Sequence, residues 1–257
     1  MLPKDGKLHF SNLKHIATSP AHYALSCQEE RTDSPAFRLG RAIHALVLQG
    51  IQPSVYHGAV RRGKEWDAFK IDAELNGINS DDILNDTEYD TVMESSNAVE
   101  GCPFAVEILE RANVVEQQID FVRNGIECRG RVDAHGPGIL VEIKTTKCAK
   151  PQKFLYDAHK FGYHAQMAWY DIALGTKYIP MATDWREHYI IAVETSAPYC
   201  VAVYRLDALR IDQGHTLCET WLSSLADCME SGIYPSYIPE TPYIWDGEII
   251  ISDPDED

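Results

Sequence analysis

The stretch GRVDAHGPGILVEIKTT, residues 130–146, constrains this chain more than any other. Two apolar runs flank a Gly-Pro-Gly turn, and such a pattern folds as an antiparallel hairpin. Side chains alternate faces along a strand, so Glu142 and Lys144 share one face while Val141 and Ile143 take the other. Asp133, close to the turn on the preceding strand, meets Glu142 across the hairpin, which brings two carboxylates and an ammonium to one spot. Neighbouring carboxylates repel unless a cation lies between them, and oxygen donors favour a hard ion such as Mg²⁺. A lysine beside that ion orients a water or stabilises negative charge growing on a phosphoryl group, the chemistry of phosphodiester hydrolysis. The plainer reading of the same three residues is a cross-strand surface salt bridge, which is common and worth little.

The hairpin belongs to a longer meander. VVEQQIDFV, GIECRGRVDA and GILVEIKTT are predicted strands, separated by Asn124-Gly125 and by Gly136-Pro137-Gly138. Ahead of them, TSPAHYALS and DSPAFRLGRAIHALVLQG each place Ser before Pro, an N-cap followed by proline at the first helical position. The second helix is predicted over Pro35 to Gln49, with Gly50 ending it. Residues 61–100 read as helix, loop, helix, and residues 151–174 as helix interrupted near Gly162. HYIIAVET and YCVAVYRL make a further hairpin. A long amphipathic helix covers Asp207 to Ser231, with Leu217, Trp221, Leu225 and Cys228 at helical spacing. No internal repeat or linker divides the chain. The expectation is one α/β domain over residues 1–240, with a helical N-terminal portion and a central mixed sheet that contains the meander, followed by an acidic tail over residues 241–257.

Charge bears on function here. A net charge of −16 argues against a simple basic protein that coats nucleic acid, because non-specific affinity comes from Lys and Arg neutralising phosphates. Seven cysteines without a C-x-x-C pair suit structural thiols in a reducing compartment better than a disulfide framework. No run approaches the roughly 18 apolar residues of a membrane span, and the first residues lack a signal-peptide core. The expectation is a cytoplasmic protein with no membrane partner.

Three further residues extend the hairpin's chemistry. His44 lies mid-helix in LGRAIHALVL with Gly40 one turn before it on the same face, leaving room beside the imidazole for a metal or phosphate. Taken alone it reads as a satisfied core histidine. In GYHAQMAWY, Gln166 and Tyr170 lie four apart on one helix face, singly no more than a polar edge. In order, G-x-x-x-H on a helix, D…E-x-K on a hairpin and Q-x-x-x-Y on the next helix resemble the RecB-like branch of the PD-(D/E)XK nuclease superfamily. SPAHYAL, FRLGRAIHALVL, RRGKEW, CRGRVDA, EIKTT and GYHAQMAWY are similar to the phage and prophage exonuclease VIII (RecE-type) nuclease domain, over about residues 8 to 235.

That resemblance implies the PD-(D/E)XK fold, with His44, Asp133 and Glu142 as metal ligands, Lys144 as the catalytic lysine, and Gln166 and Tyr170 supporting the site or the DNA strand. Val132 stands where the superfamily has proline, and Glu142 where close relatives often have Asp, but neither change removes a ligand. The resemblance further implies a Mg²⁺-dependent exodeoxyribonuclease, with Mn²⁺ as a substitute, that degrades linear double-stranded DNA from the 5′ end and leaves 3′ single-stranded overhangs for recombination. It also implies a homotetrameric ring and a single-strand annealing protein as partner. The alternatives are a single-strand exonuclease or structure-specific endonuclease on the same fold, or a non-catalytic DNA-binding module.

Arg38 and Arg41 flank His44 and suit a 5′-phosphate through forked hydrogen bonds. Arg61, Arg62 and Lys64 form a short basic cluster that would touch the DNA backbone, and Lys147 is a further phosphate contact. Glu116, at the start of the first meander strand, has two readings, a further acid near the metal and an ordinary exposed strand glutamate, and the second is the commoner for such a position. His159 and His164 do not make a convincing zinc site.

Overall fold

The computed structural model describes residues 1–29, 33–175 and 186–237, so the expected acidic tail lies outside the described residues. In chain order the elements are β1 (Leu8–His9), α1 (Phe10–Leu13), α2 (Pro20–Gln28), α3 (Pro35–Gln49), α4 (Lys64–Leu75), α5 (Asp86–Glu100), α6 (Pro103–Arg111), β2 (Val114–Arg123), β3 (Ile126–Gly136), β4 (Ile139–Thr146), α7 (Pro151–Lys160), α8 (Tyr163–Ala173), β5 (Glu187–Glu194), β6 (Val201–Leu206) and α9 (Ala208–Ser231). Helix punctuation falls where the sequence placed it. The Ser19 and Ser34 hydroxyls accept hydrogen bonds from the backbone N–H groups of His22 and Phe37, and Gly50 ends α3 at φ 66°. Helix α6, PFAVEILER, stands between the expected helices and the meander where the sequence carries no expectation.

The central sheet is mixed, and its topology makes the site. β2, β3 and β4 form the expected antiparallel meander, β4 and β5 run parallel, and β6 closes the far edge antiparallel to β5. The β3–β4 ladder is short. It covers Gly136↔Ile139, His135↔Leu140 and Ala134↔Val141, and the same register would next set Asp133 opposite Glu142. Beyond that point β3 pairs in parallel with β1, through Leu8↔Cys128 and His9↔Arg129. The two hairpin strands therefore part at the two carboxylates, and the polar site forms in the cleft where they separate.

Two apolar layers cover the sheet. On one face Val141 and Ile143 pack with Ile43 and Leu46 of α3 and Val92 and Val99 of α5. On the other, α8 and α9 pack with α1, α2 and the β3 residues Cys128 and Val132. Helix α8 comes close to β3 where Gly130 has no side chain, since a Cβ there would lie 3.0 Å from that of Ala173. The Trp169 indole N–H donates to the Arg129 carbonyl at 3.2 Å and fixes the same contact. Helix α9 in turn crosses α8 at Gly214, where a Cβ would fall 2.3 Å from the His164 carbonyl oxygen, so no larger residue fits without moving the helices apart. Among the described residues, no helix is long and apolar enough to cross a membrane.

Candidate active site

The parting of β3 and β4 turns a surface hairpin into a buried polar centre. Asp133 and Glu142 are 7% and 3% exposed, which rules out the plainer reading of a solvent-exposed salt bridge. Where a backbone carbonyl of β3 would continue the ladder, the Asp133 carboxylate stands in, and Oδ2 accepts the Ile143 N–H at 2.8 Å. His44 comes to the same cleft from α3. Its Nε2 lies 3.1 Å from the Ile143 carbonyl, and a proton donated there leaves Nδ1 facing the acids, 3.5 Å from Asp133 Oδ2 and 3.7 Å from Glu116 Oε1. Fixing one imidazole nitrogen on a carbonyl is how a ligating histidine is commonly held in orientation. Gly40 does not open space at the imidazole itself, because its missing side chain faces Thr145 Oγ1, 3.5 Å from where a Cβ would sit.

Glu116 corrects the sequence reading. It is not an exposed strand residue: its side chain is 9% exposed, and its backbone takes φ 51°, in the left-handed region that a non-glycine residue enters at a cost of about 1 kcal/mol or more. One oxygen faces His44 and the other accepts from Arg131 Nε at 2.7 Å. A donor atom from each of His44, Glu116 and Asp133 lies within 4.8 Å of the others, a compact set of one nitrogen and two oxygens. The signal that would have found Glu116 is the turn at Asn124-Gly125. A two-residue turn pairs Arg123 with Ile126, and counting back in that register sets Glu116 opposite Asp133.

Glu142 sits beside this set, with a different task on each oxygen. Oε1 accepts from Lys144 Nζ and from Gln166 Nε2, the latter at 3.0 Å, while Gln166 Oε1 accepts from Lys144 Nζ at 2.9 Å. Gln166 Nε2 also approaches the Tyr170 hydroxyl, at 2.7 Å. The Q-x-x-x-Y pair therefore faces β4, and Gln166 holds the lysine from the α8 side. Glu142 Oε2 is buried and finds no hydrogen-bond donor among the described residues.

Electrostatics follow from burying these charges together. At His44 burial acts to lower the pKa, but Asp133 first, with Glu116 and Glu142, outweighs it and raises it to about 10. At Asp133 burial acts upward, and the His44 cation beside it nonetheless holds the carboxyl below its ordinary value. Burial and then repulsion from Asp133 push Glu142 up to about 7, against the pull of Lys144. Burial works against the Lys144 charge, yet Glu142 and Asp133 leave its pKa above the ordinary value. Three carboxylates and three basic groups are crowded into this centre, and an orphaned buried carboxylate oxygen beside a set of N and O donors fits a divalent cation.

The expected DNA contacts are placed differently. Arg38 pairs with Glu88 at 3.0 Å, Arg61 with the same Glu88 at 2.6 Å, and Arg41 with Asp82 at 2.6 Å and Asp33 at 2.8 Å. Each of these arginines already has a carboxylate partner, so a phosphate would have to displace it. Arg62, Lys64 and Lys147 are exposed. The rings of His159 and His164 stack at 5.8 Å, and among the described residues the only set of three or more candidate ligands is that of His44, Glu116 and Asp133.

A second buried polar group was not foreseen. Asp171 on α8, His188 on β5 and His215 on α9 are all buried, with His188 Nε2 at 2.6 Å and His215 Nε2 at 3.8 Å from Asp171 Oδ2, and Arg186 at 3.7 Å from Oδ1. The three elements are remote in sequence, and no local spacing announces their meeting.

No curated protein matches the chain. Among solved structures, a candidate exonuclease from Eubacterium rectale superposes with a TM-score of 0.60 at 11% identity, over 93% of this chain and 91% of that one. A phage related exonuclease from Haemophilus somnus 129PT aligns at 14% identity over 87% of this chain and 96% of that one, with a TM-score of 0.33. LHK-Exo in complex with dAMP aligns at 19% identity over 76% and 93%, with a TM-score of 0.29. The first likeness speaks for the fold, and the other two superpose too loosely to add to it. The profile of one family covers residues 9–244, nearly the whole chain and every residue of the centre just described. With that span and the parted hairpin that bears Asp133, Glu142 and Lys144, the chain belongs to the family described as PDDEXK-like domain of unknown function (DUF3799).

Proposed function

We propose that this protein is a divalent-metal-dependent exodeoxyribonuclease that hydrolyses phosphodiester bonds of linear double-stranded DNA from the 5′ end and leaves 3′ single-stranded overhangs. One observation carries the reading: the compact set of His44, Glu116 and Asp133 lies beside a lysine that Glu142 and Gln166 hold in place. His44, Glu116 and Asp133 would hold the cation, with Glu142 Oε2 as a further oxygen donor. Mg²⁺ suits the oxygens, and Mn²⁺ would substitute with its greater tolerance of nitrogen. Such an ion, when bound, polarises a phosphoryl oxygen and lowers the pKa of a water.

The chain's own residues do the rest. Lys144 keeps its proton and carries a fixed positive charge to where negative charge accumulates as the water oxygen bonds to phosphorus and the bond to the leaving oxygen breaks. Gln166 restrains the ammonium and Glu142 together, so that neither reorganises during the reaction. Tyr170 fixes Gln166. Arg62, Lys64 and Lys147 are the exposed cations offered to the phosphate backbone, and Arg38, Arg41 and Arg61 join them by exchanging a carboxylate for a phosphate.

A time course on linear duplex, closed circular duplex and single-stranded DNA with Mg²⁺ tests the reading. Loss of linear DNA alone is the expected result, cutting of the circle would mean an endonuclease, digestion of single strands only would mean a single-strand exonuclease, and no cutting of any form would mean a binding module. We further propose a homotetrameric ring around the duplex, with a single-strand annealing protein taking up the overhangs. A ring answers the acidic balance, because local potential in an enclosed channel governs attraction more than net charge does. Light scattering should read about four chains per particle, and a monomer that still digests long duplex processively would overturn the ring.

A further inference from the structure

Residues 144–160, KTTKCAKPQKFLYDAHK, hold five lysines and one acid in a chain whose net charge is −16. This stretch starts at the site lysine and runs the length of α7. At its end stands Phe161, 46% exposed, with Lys160 Nζ 5.9 Å from its ring centroid. The Phe161 ring lies 6.0 Å from that of Tyr163, at 29° between planes, and Lys144 Nζ sits 4.7 Å from the Tyr163 centroid. Lys160, Phe161, Tyr163 and Lys144 thus form a row from the surface to the site. The row is braced from within: buried Phe154 stacks on Tyr204 at 4.6 Å and meets Tyr163 at 6.0 Å.

An exposed aromatic face flanked by lysines, leading to a group poised for phosphodiester hydrolysis, has the composition of a single-strand platform. Bases stack on aromatic faces whatever their sequence, and lysines follow the phosphates. We propose that Phe161 stacks on an unpaired nucleobase beside the phosphate held at Lys144, so that the site receives an unstacked strand and not an intact duplex end. The inference rests on the nuclease reading and adds which form of the strand the site accepts.

The test is binding of a fluorescent single-stranded oligonucleotide, with Ca²⁺ in place of Mg²⁺ so that the strand is not cut. Phe161→Ala and Phe161→Leu should each weaken binding roughly fivefold or more, the loss of one stacked base, while Phe161→Tyr should bind like the native protein. Scanning one abasic nucleotide along the strand should find a position at which the native protein and Phe161→Ala bind equally. Leucine that restores binding would show bulk in place of stacking and overturn the proposal, as would alanine without effect in a protein that still cuts DNA with Mg²⁺. A native protein that neither binds nor cuts DNA would overturn the nuclease reading and this inference with it.

Discussion

Asp133→Ala and Glu142→Ala should each abolish DNA cleavage, and Lys144→Ala should reduce it by about 10²- to 10³-fold, the scale of removing one group that stabilises transition-state charge. The effects differ in kind. Asp133 supplies a donor atom to the compact set and also closes the backbone of β4 through Ile143, so its loss removes a ligand and loosens the strand that carries Glu142 and Lys144. Glu142 anchors the lysine through one oxygen, while the other is buried without a hydrogen-bond donor among the described residues. Initial rates on linear duplex at saturating Mg²⁺, with circular dichroism to confirm the fold, check all three. Near-normal turnover by either carboxylate variant would remove the hairpin from the chemistry.

The largest effect on stability is expected away from the cleft. Asp171→Ala should destabilise the protein by about 3–5 kcal/mol, because it leaves Arg186 without its carboxylate and the buried His188 and His215 without the group they face. In a domain of this size that lowers Tm by roughly 6–20 °C in a thermal melt at neutral pH. An unchanged Tm would mean the cluster is not held by its aspartate. The same group gives a pH signature. Burial acts to raise the Asp171 pKa, but the His188 and His215 contacts outweigh it and hold it at about 2, below the ordinary 3.8. A depressed folded-state value contributes stability above the unfolded pKa and loses it as pH falls through the folded one. Asp171 should therefore add about 2 kcal/mol above pH 4 that disappears between about pH 4 and pH 2.

Much of the site was legible because the information is local. Gly-Pro-Gly sets the register of β3 and β4, and strand alternation then puts Glu142 and Lys144 on one face opposite Asp133. Helix spacing likewise set Gln166 and Tyr170 together. Glu116 was within reach through the Asn124-Gly125 register, but a strand glutamate has no spacing of its own to mark it, and a left-handed backbone at a non-glycine residue leaves no sign in the sequence. The parting of β3 from β4 could not be read, since it depends on β1, more than a hundred residues earlier, taking the place beside β3. The pairing of Arg38, Arg41 and Arg61 was hidden for the same reason. Their partners Asp82 and Glu88 converge on them only once α3, α5 and the turn before α5 are packed together.

The central claim is that His44, Glu116 and Asp133 form a cation site on the parted hairpin. Calorimetric titration of Mn²⁺ into the native protein, Asp133→Ala and Glu116→Ala tests it without DNA and without turnover. The native protein should bind the ion saturably, and each variant should bind it at least about tenfold more weakly, since each loses a charged oxygen donor. Equal affinity in the native protein and Asp133→Ala, or no binding by the native protein at all, would contradict it.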